Sequence, residues 1–129
     1  MDNVITSEEK MAFMLLNSII FHYHGLDEEE EQILKRISEQ LSANEELNWA
    51  FDFISKDYLT AYERARTHLK EVMLKLDKSK RLDFINSTWN ANFEKGYITE
   101  MEATAMLKLA RDWEVDEDLI SLYNKELNS

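Results

Sequence analysis

Apolar positions recur at three and four residues along most of the chain, and the breaks in that rhythm fall at capping residues and glycines. The pattern predicts about seven helices. The first opens at a capping box, Thr6 with Glu9, and runs from about Ser7 to His24. Its middle, Ala12 to Phe21, is apolar on nearly all sides, as in a helix surrounded by others. Gly25 ends it, and Asp27 caps a second helix with the stripe Ile33, Leu34, Ile37 and Leu41. Asn44 is the expected cap of the third, which runs through Leu47, Trp49, Ala50, Phe53 and Ile54. From Tyr58 to about Leu76 the positions Leu59, Tyr62, Leu69, Val72, Met73 and Leu76 alternate with charged residues, which predicts the longest helix. Asp77 caps a fifth helix containing Leu82, Phe84, Ile85, Trp89 and Phe93, and Gly96 ends it. Thr99 and Glu102 form another capping box for the sixth. Asp116 is the expected cap of the seventh, with Leu119, Ile120, Tyr123 and Leu127 inward.

The pattern also repeats. With one extra residue, Tyr97, after the second glycine, Leu26 to Leu47 lies on Ile98 to Leu119 at a constant offset. Leu34, Ile37 and Leu41 fall on Met106, Leu109 and Trp113, and Glu28 and Glu30 fall on Glu100 and Glu102. Phe13 to Gly25 matches Phe84 to Gly96. A supersecondary unit used twice is an architectural signal. The expectation is one all-α domain over residues 1–129, a helical bundle built from two related halves at about 13–47 and 84–119. Gly25 and Gly96 are expected at positive φ, where a left-handed residue ends a helix.

Composition narrows the function classes. Zero prolines and two glycines suit an all-helical chain, and the absence of cysteine excludes disulfides, thiolate metal sites and cysteine nucleophiles. Twenty-six acids against fifteen bases give a net charge of -11, which repels a nucleic-acid backbone. The longest apolar run, Met11 to Phe21, is broken by Asn17 and Ser18 and is too short to span a bilayer. It is preceded by Asp2, Glu8 and Glu9, where a secretion signal has basic residues. The chain is therefore expected in the cytoplasm, without membrane insertion.

For chemistry the inventory is thin. The glycine turns suggest half of an EF-hand loop, with Glu31 or Glu102 six residues after the glycine. The early ligand positions, however, hold Ile20, His22 and His24 in one loop and Ala91, Phe93 and Lys95 in the other. The acids Asp27, Glu28, Glu30 and Glu31, with Glu100 and Glu102, have two readings. As helix starts they are stabilised by the exposed backbone amides of the first turn. As a patch they offer a surface to a basic partner or a cation. His24, Glu30 and Glu102 are the candidate metal ligands, although His22 and His24 are two apart and diverge on a helix. His68, among Arg64, Arg66 and Lys70, reads as solvated surface, and Trp49, Trp89 and Trp113 read as core anchors. No nucleophile signature or phosphate-cradling loop is present, so no catalytic residue and no cofactor are expected. The leading expectation is a non-enzymatic, protein-binding helical module with an acidic docking surface. The alternatives are a divalent-cation-responsive module and an enzyme whose site converges only in the fold.

Gly96, Ile98, Thr99 and Glu102, followed by Met106, Leu109, Trp113 and the segment Asp116 to Leu119, resemble the second signature of the TerB-like (tellurite-resistance) helical family. Gly25, Leu26, Asp27 and Glu30 resemble its first signature with one residue missing. The likeness covers most of the chain in helix order. It implies an all-helical bundle of two related halves, associated with stress response, membrane-linked complexes and co-chaperone modules. Some members carry acidic metal or ion sites at these turns, commonly with an aspartate just before the glycine. Here His24 and Lys95 stand there, so the resemblance implies the fold without the full ligand set.

Overall fold

The computed structural model describes residues 6–22, 26–94 and 96–127, with side chains up to residue 122. His24, Gly25, Lys95 and the side chains of Tyr123 and Leu127 lie outside the described residues. All regular structure among the described residues is helical: α1 Ser7–Phe21, α2 Glu28–Gln40, α3 Asn44–Ser55, α4 Ala61–Met73, α5 Lys78–Phe93, α6 Glu100–Asp112 and α7 Asp116–Leu127. Contacts group the chain into two compact units, Met1–Val72 and Met73–Ser129.

In the first unit, α1, α2 and α3 pack on one another. The Glu9 amide donates to Thr6 Oγ1 at 3.1 Å and the Thr6 amide to Glu9 Oε1 at 3.0 Å, so two orphan donors of the helix start are satisfied by each other's side chains. Ala12, Met14, Leu15, Leu16, Ile20 and Phe21 are fully buried, as a helix apolar all round requires. Asn17 is buried among them and donates through Nδ2 to the Phe13 carbonyl at 2.9 Å, one turn back. The helix ends at Phe21, short of the expected His24, with His22 as its C-cap.

The α2–α3 connection closes tightly. Ser42 takes φ +53, and the Ala43 amide donates to the Ser38 carbonyl at 2.7 Å, as in a Schellman turn. Asn44 does not cap α3: its carboxamide oxygen accepts the buried Ser38 hydroxyl at 2.8 Å, and it stands inside the helix.

The expected helix from Tyr58 to Leu76 is shorter, and α5, with 16 residues against 13 in α4, is the longest among the described residues. The reason lies in the preceding turn. Asp57 Oδ1 accepts the Leu59 amide, while Arg64 donates to the Phe53 and Asp57 carbonyls at 2.9 Å each. These bonds satisfy the Phe53 carbonyl in the last turn of α3 and the Asp57 carbonyl of the turn, and hold the chain off the helical path until Ala61. Leu59, assigned to the apolar stripe by spacing, is 96% exposed.

In the second unit, α5, α6 and α7 pack on one another. Asp77 caps α5 by accepting the Lys80 amide at 2.9 Å. Arg81 donates through Nε to the Met73 and Leu76 carbonyls, at 3.0 Å each, and through Nη1 to the Trp113 carbonyl at 3.2 Å, tying the Met73–Leu76 segment to the end of α6. Gly96 has φ +97, as expected of a residue that ends a helix. Trp113 is fully buried at the C-cap of α6, and Trp89 is buried in α5. Beyond Trp113, Glu114 takes φ +62 and the Val115 amide donates to the Ala110 carbonyl at 2.8 Å. Asp116 lies in the first turn of α7 instead of preceding it. Leu119 is buried, but Ile120, expected inward, is 44% exposed, and Phe93 is 41% exposed.

Candidate functional site

The acidic helix starts divide into two kinds of carboxylate. In α2 the Glu30 amide donates to Asp27 Oδ1 at 2.8 Å and the Asp27 amide donates to Glu30 Oε1 at 3.2 Å. In α6 the Glu102 amide donates to Thr99 Oγ1 at 3.1 Å, and Glu102 Oε1 accepts both the Thr99 amide and its hydroxyl. Each box forms because the third helical residue folds back over the first turn. The cost is exposure: Glu30 and Glu102 are only 2% and 0% exposed, their carboxylates turned into their own helix starts. A cation at either would compete with the cap bonds. Asp27, Glu28, Glu29, Glu31 and Glu100 remain exposed. The two starts belong to different units, and no group of three or more His, Asp or Glu side chains is placed to hold a metal ion among the described residues.

His68 is not a solvated side chain. Its ring lies 5.4 Å from that of Trp49 and 6.0 Å from that of Phe53, and Nε2 is buried without a hydrogen-bond partner among the described residues. The Arg64 guanidinium sits 4.9 Å from the centre of the Phe53 ring. Trp49 is thus half-buried in an aromatic cluster that ties α3 to α4, not a deep anchor. This cluster has a structural explanation: Arg64 donates to the Phe53 carbonyl near the end of α3 while its guanidinium lies over the Phe53 ring.

The more informative feature lies in the second unit. The end of α5, the Gly96 turn, α6 and the start of α7 enclose an apolar groove of about 490 Å³. Trp89 and Phe93 contribute from α5, Tyr97 and Ile98 from the turn, Leu107 from α6 and Ile120 from α7. The positive φ of Gly96 reverses the chain so that Tyr97 and Ile98 come to the groove instead of continuing α5. The volume falls within the range of binding pockets, and the lining is dominated by aromatic and aliphatic side chains. Three of these, Phe93, Tyr97 and Ile120, are at least 41% exposed. Apolar side chains gathered in this way around a concavity, and not scattered singly, mark an interaction site.

Periodicity alone counts a stripe residue as core, which is why Ile120 is expected inward. The signal that distinguishes the groove was the apolar density of Phe93, Tyr97 and Ile98 around a turn whose capping requires only Gly96, Thr99 and Glu102. Comparison with protein-family models, with curated proteins and with solved structures finds no significant match to this chain.

Proposed function

We propose that this chain is a non-enzymatic helical protein-interaction module, acting in the cytoplasm, whose working surface is the apolar groove of the α5–α6–α7 unit. The observation that carries the reading is the exposure of Phe93, Tyr97 and Ile120 around one concavity. Leaving three such side chains partly in water forfeits burial worth about 25 cal/mol per Å² of apolar area, unless a partner covers them. The chain's net charge of -11 favours and steers a basic partner.

The proposal extends to ancestry. We infer two related halves and a divergent TerB-like fold, supported by hydrogen bonds that recur at matched positions. Leu41 to Ile37 and Trp113 to Leu109 are both 3.1 Å, and Ala43 to Ser38 and Val115 to Ala110 are 2.7 and 2.8 Å. A stress-related role follows only from that resemblance.

A photo-crosslinking side chain placed at Tyr97, compared with one at the exposed Thr67 of α4, tests the interaction reading in the cells that make the protein. A discrete crosslinked partner from Tyr97 alone, lost in Phe93→Asp, is the expected result. Identical products from both positions would remove the groove as the working surface.

A further inference from the structure

We propose that the groove of the α5–α6–α7 unit takes a basic amphipathic helix of a partner protein, a statement that rests on the interaction-module reading and names its ligand. Three observations select this occupant. The first is backbone chemistry. The groove is walled by helices and a turn, and no strand is present among the described residues to offer an edge to an extended peptide. A β-strand would find no edge there to pair its amides and carbonyls, whereas a helix satisfies its own and presents only side chains.

The second is charge. Glu100 stands one turn before Ala103 on α6, and Glu117 one turn before Ile120 on α7, so each begins a stripe that lines the groove. Both are exposed, and neither forms an ion pair among the described residues. The neighbouring acids are differently placed: Asp116 lies 3.8 Å from Arg111, and Asp118 pairs with Lys78 at 3.3 Å. Lys108 follows Leu107 by one residue and therefore points about a quarter-turn away from the lining. Among the described residues the rim thus presents acid without an ion-pair partner on two of its walls, in a chain whose net charge is -11.

The third argument concerns the simplest alternative. A second copy of the chain docking groove to groove would bring two acidic rims together, and like charge across an interface disfavours it. A partner helix with apolar anchors at helical spacing and lysine or arginine on its flanks meets both the lining and the rim.

The test uses two fluorescein-labelled peptides of eighteen residues, identical in their helix-spaced leucines, one with lysine and one with glutamate at all remaining charged positions. Anisotropy is measured with the full chain at about 0.05 and 0.3 M salt, after circular dichroism shows that each variant is folded. The lysine peptide is expected to bind saturably, and binding should weaken several-fold at the higher salt as the charges are screened. Phe93→Asp and Ile120→Asp, both at exposed positions, should each weaken it at least tenfold. The double variant Glu100→Lys, Glu117→Lys should lose the lysine peptide and gain the glutamate one. Equal binding of both peptides at both salts would overturn the basic specificity while leaving the groove as an interaction surface. Lysine-peptide binding unaffected by Phe93→Asp and Ile120→Asp, or absent altogether, would overturn the proposal. The crosslinking comparison at Tyr97 and Thr67 then decides separately whether the module reading stands.

Discussion

Replacing Ser42 and Glu114 by glycine should stabilise the protein, although glycine usually weakens helical structure. Both residues sit just past a helix end in the left-handed region, with φ +53 and +62. An L side chain there costs roughly 1–2 kcal/mol through the clash of Cβ with the following carbonyl, and glycine has no such clash. Against this, glycine loses about 0.5–1 kcal/mol more conformational entropy on folding. Nothing else changes, because the bonds that close the two turns are made by backbone: the Ser42 and Glu114 amides donate to the Glu39 and Arg111 carbonyls at 3.3 and 3.0 Å. Both side chains are exposed. The net gain is about 0.5–1 kcal/mol for each, or roughly 2–4 °C in melting temperature for a chain of this size. The two sites share no hydrogen-bond partner, so the double variant should show the sum to within about 0.5 kcal/mol. Thermal melts followed by circular dichroism at 222 nm measure all three. A fall in melting temperature of the size seen for glycine inside a helix would show that these residues are not left-handed. A gain in one variant only would break the equivalence of the two hairpins.

The opposite sign is expected at Gly96, where a Cβ would meet nothing within 4 Å but φ is +97: Gly96→Ala should cost about 1 kcal/mol from backbone conformation alone, read as a lower melting temperature. Arg81→Lys should destabilise nearly as much as Arg81→Ala, by about 1.5–3 kcal/mol in urea unfolding, because one ammonium cannot span the Met73, Leu76 and Trp113 carbonyls; rescue by lysine would show that charge alone matters. Glu102→Gln should be close to neutral, since glutamine also closes a capping box, whereas Glu102→Ala should cost about 1–2 kcal/mol; equal losses in the two variants would point to a role that requires the negative charge.

The helices were legible because their starts are local chemistry. Thr6 with Glu9 and Thr99 with Glu102 form the boxes that their spacing predicts, and Asp27 and Asp77 cap α2 and α5. Asn44 misled because a side chain six residues earlier, Ser38, claims its oxygen, a competition that spacing does not encode. Leu59 misled because Arg64 and Asp57 close a turn that interrupts an otherwise helical rhythm. The acidic run was conspicuous, but burial distinguishes its members: Glu30 and Glu102 complete helix starts, and only their neighbours face solvent. The groove was illegible for a different reason. Phe93 and Ile120 carry the same periodicity as buried Trp89 and Leu119, and whether such a residue meets the core or solvent depends on how three helices close around the Gly96 turn.

The central claim, that the working face is the apolar groove and not the acidic start of α2, is tested most directly by mapping where the lysine peptide binds. Titrating it into isotopically labelled protein and following amide and methyl resonances should shift Gly96, Ile98, Leu107 and Ile120 together, with one saturation curve. Shifts confined to Glu28, Glu29 and Glu31, with those four resonances unmoved, would place docking on the acidic helix start and contradict the account.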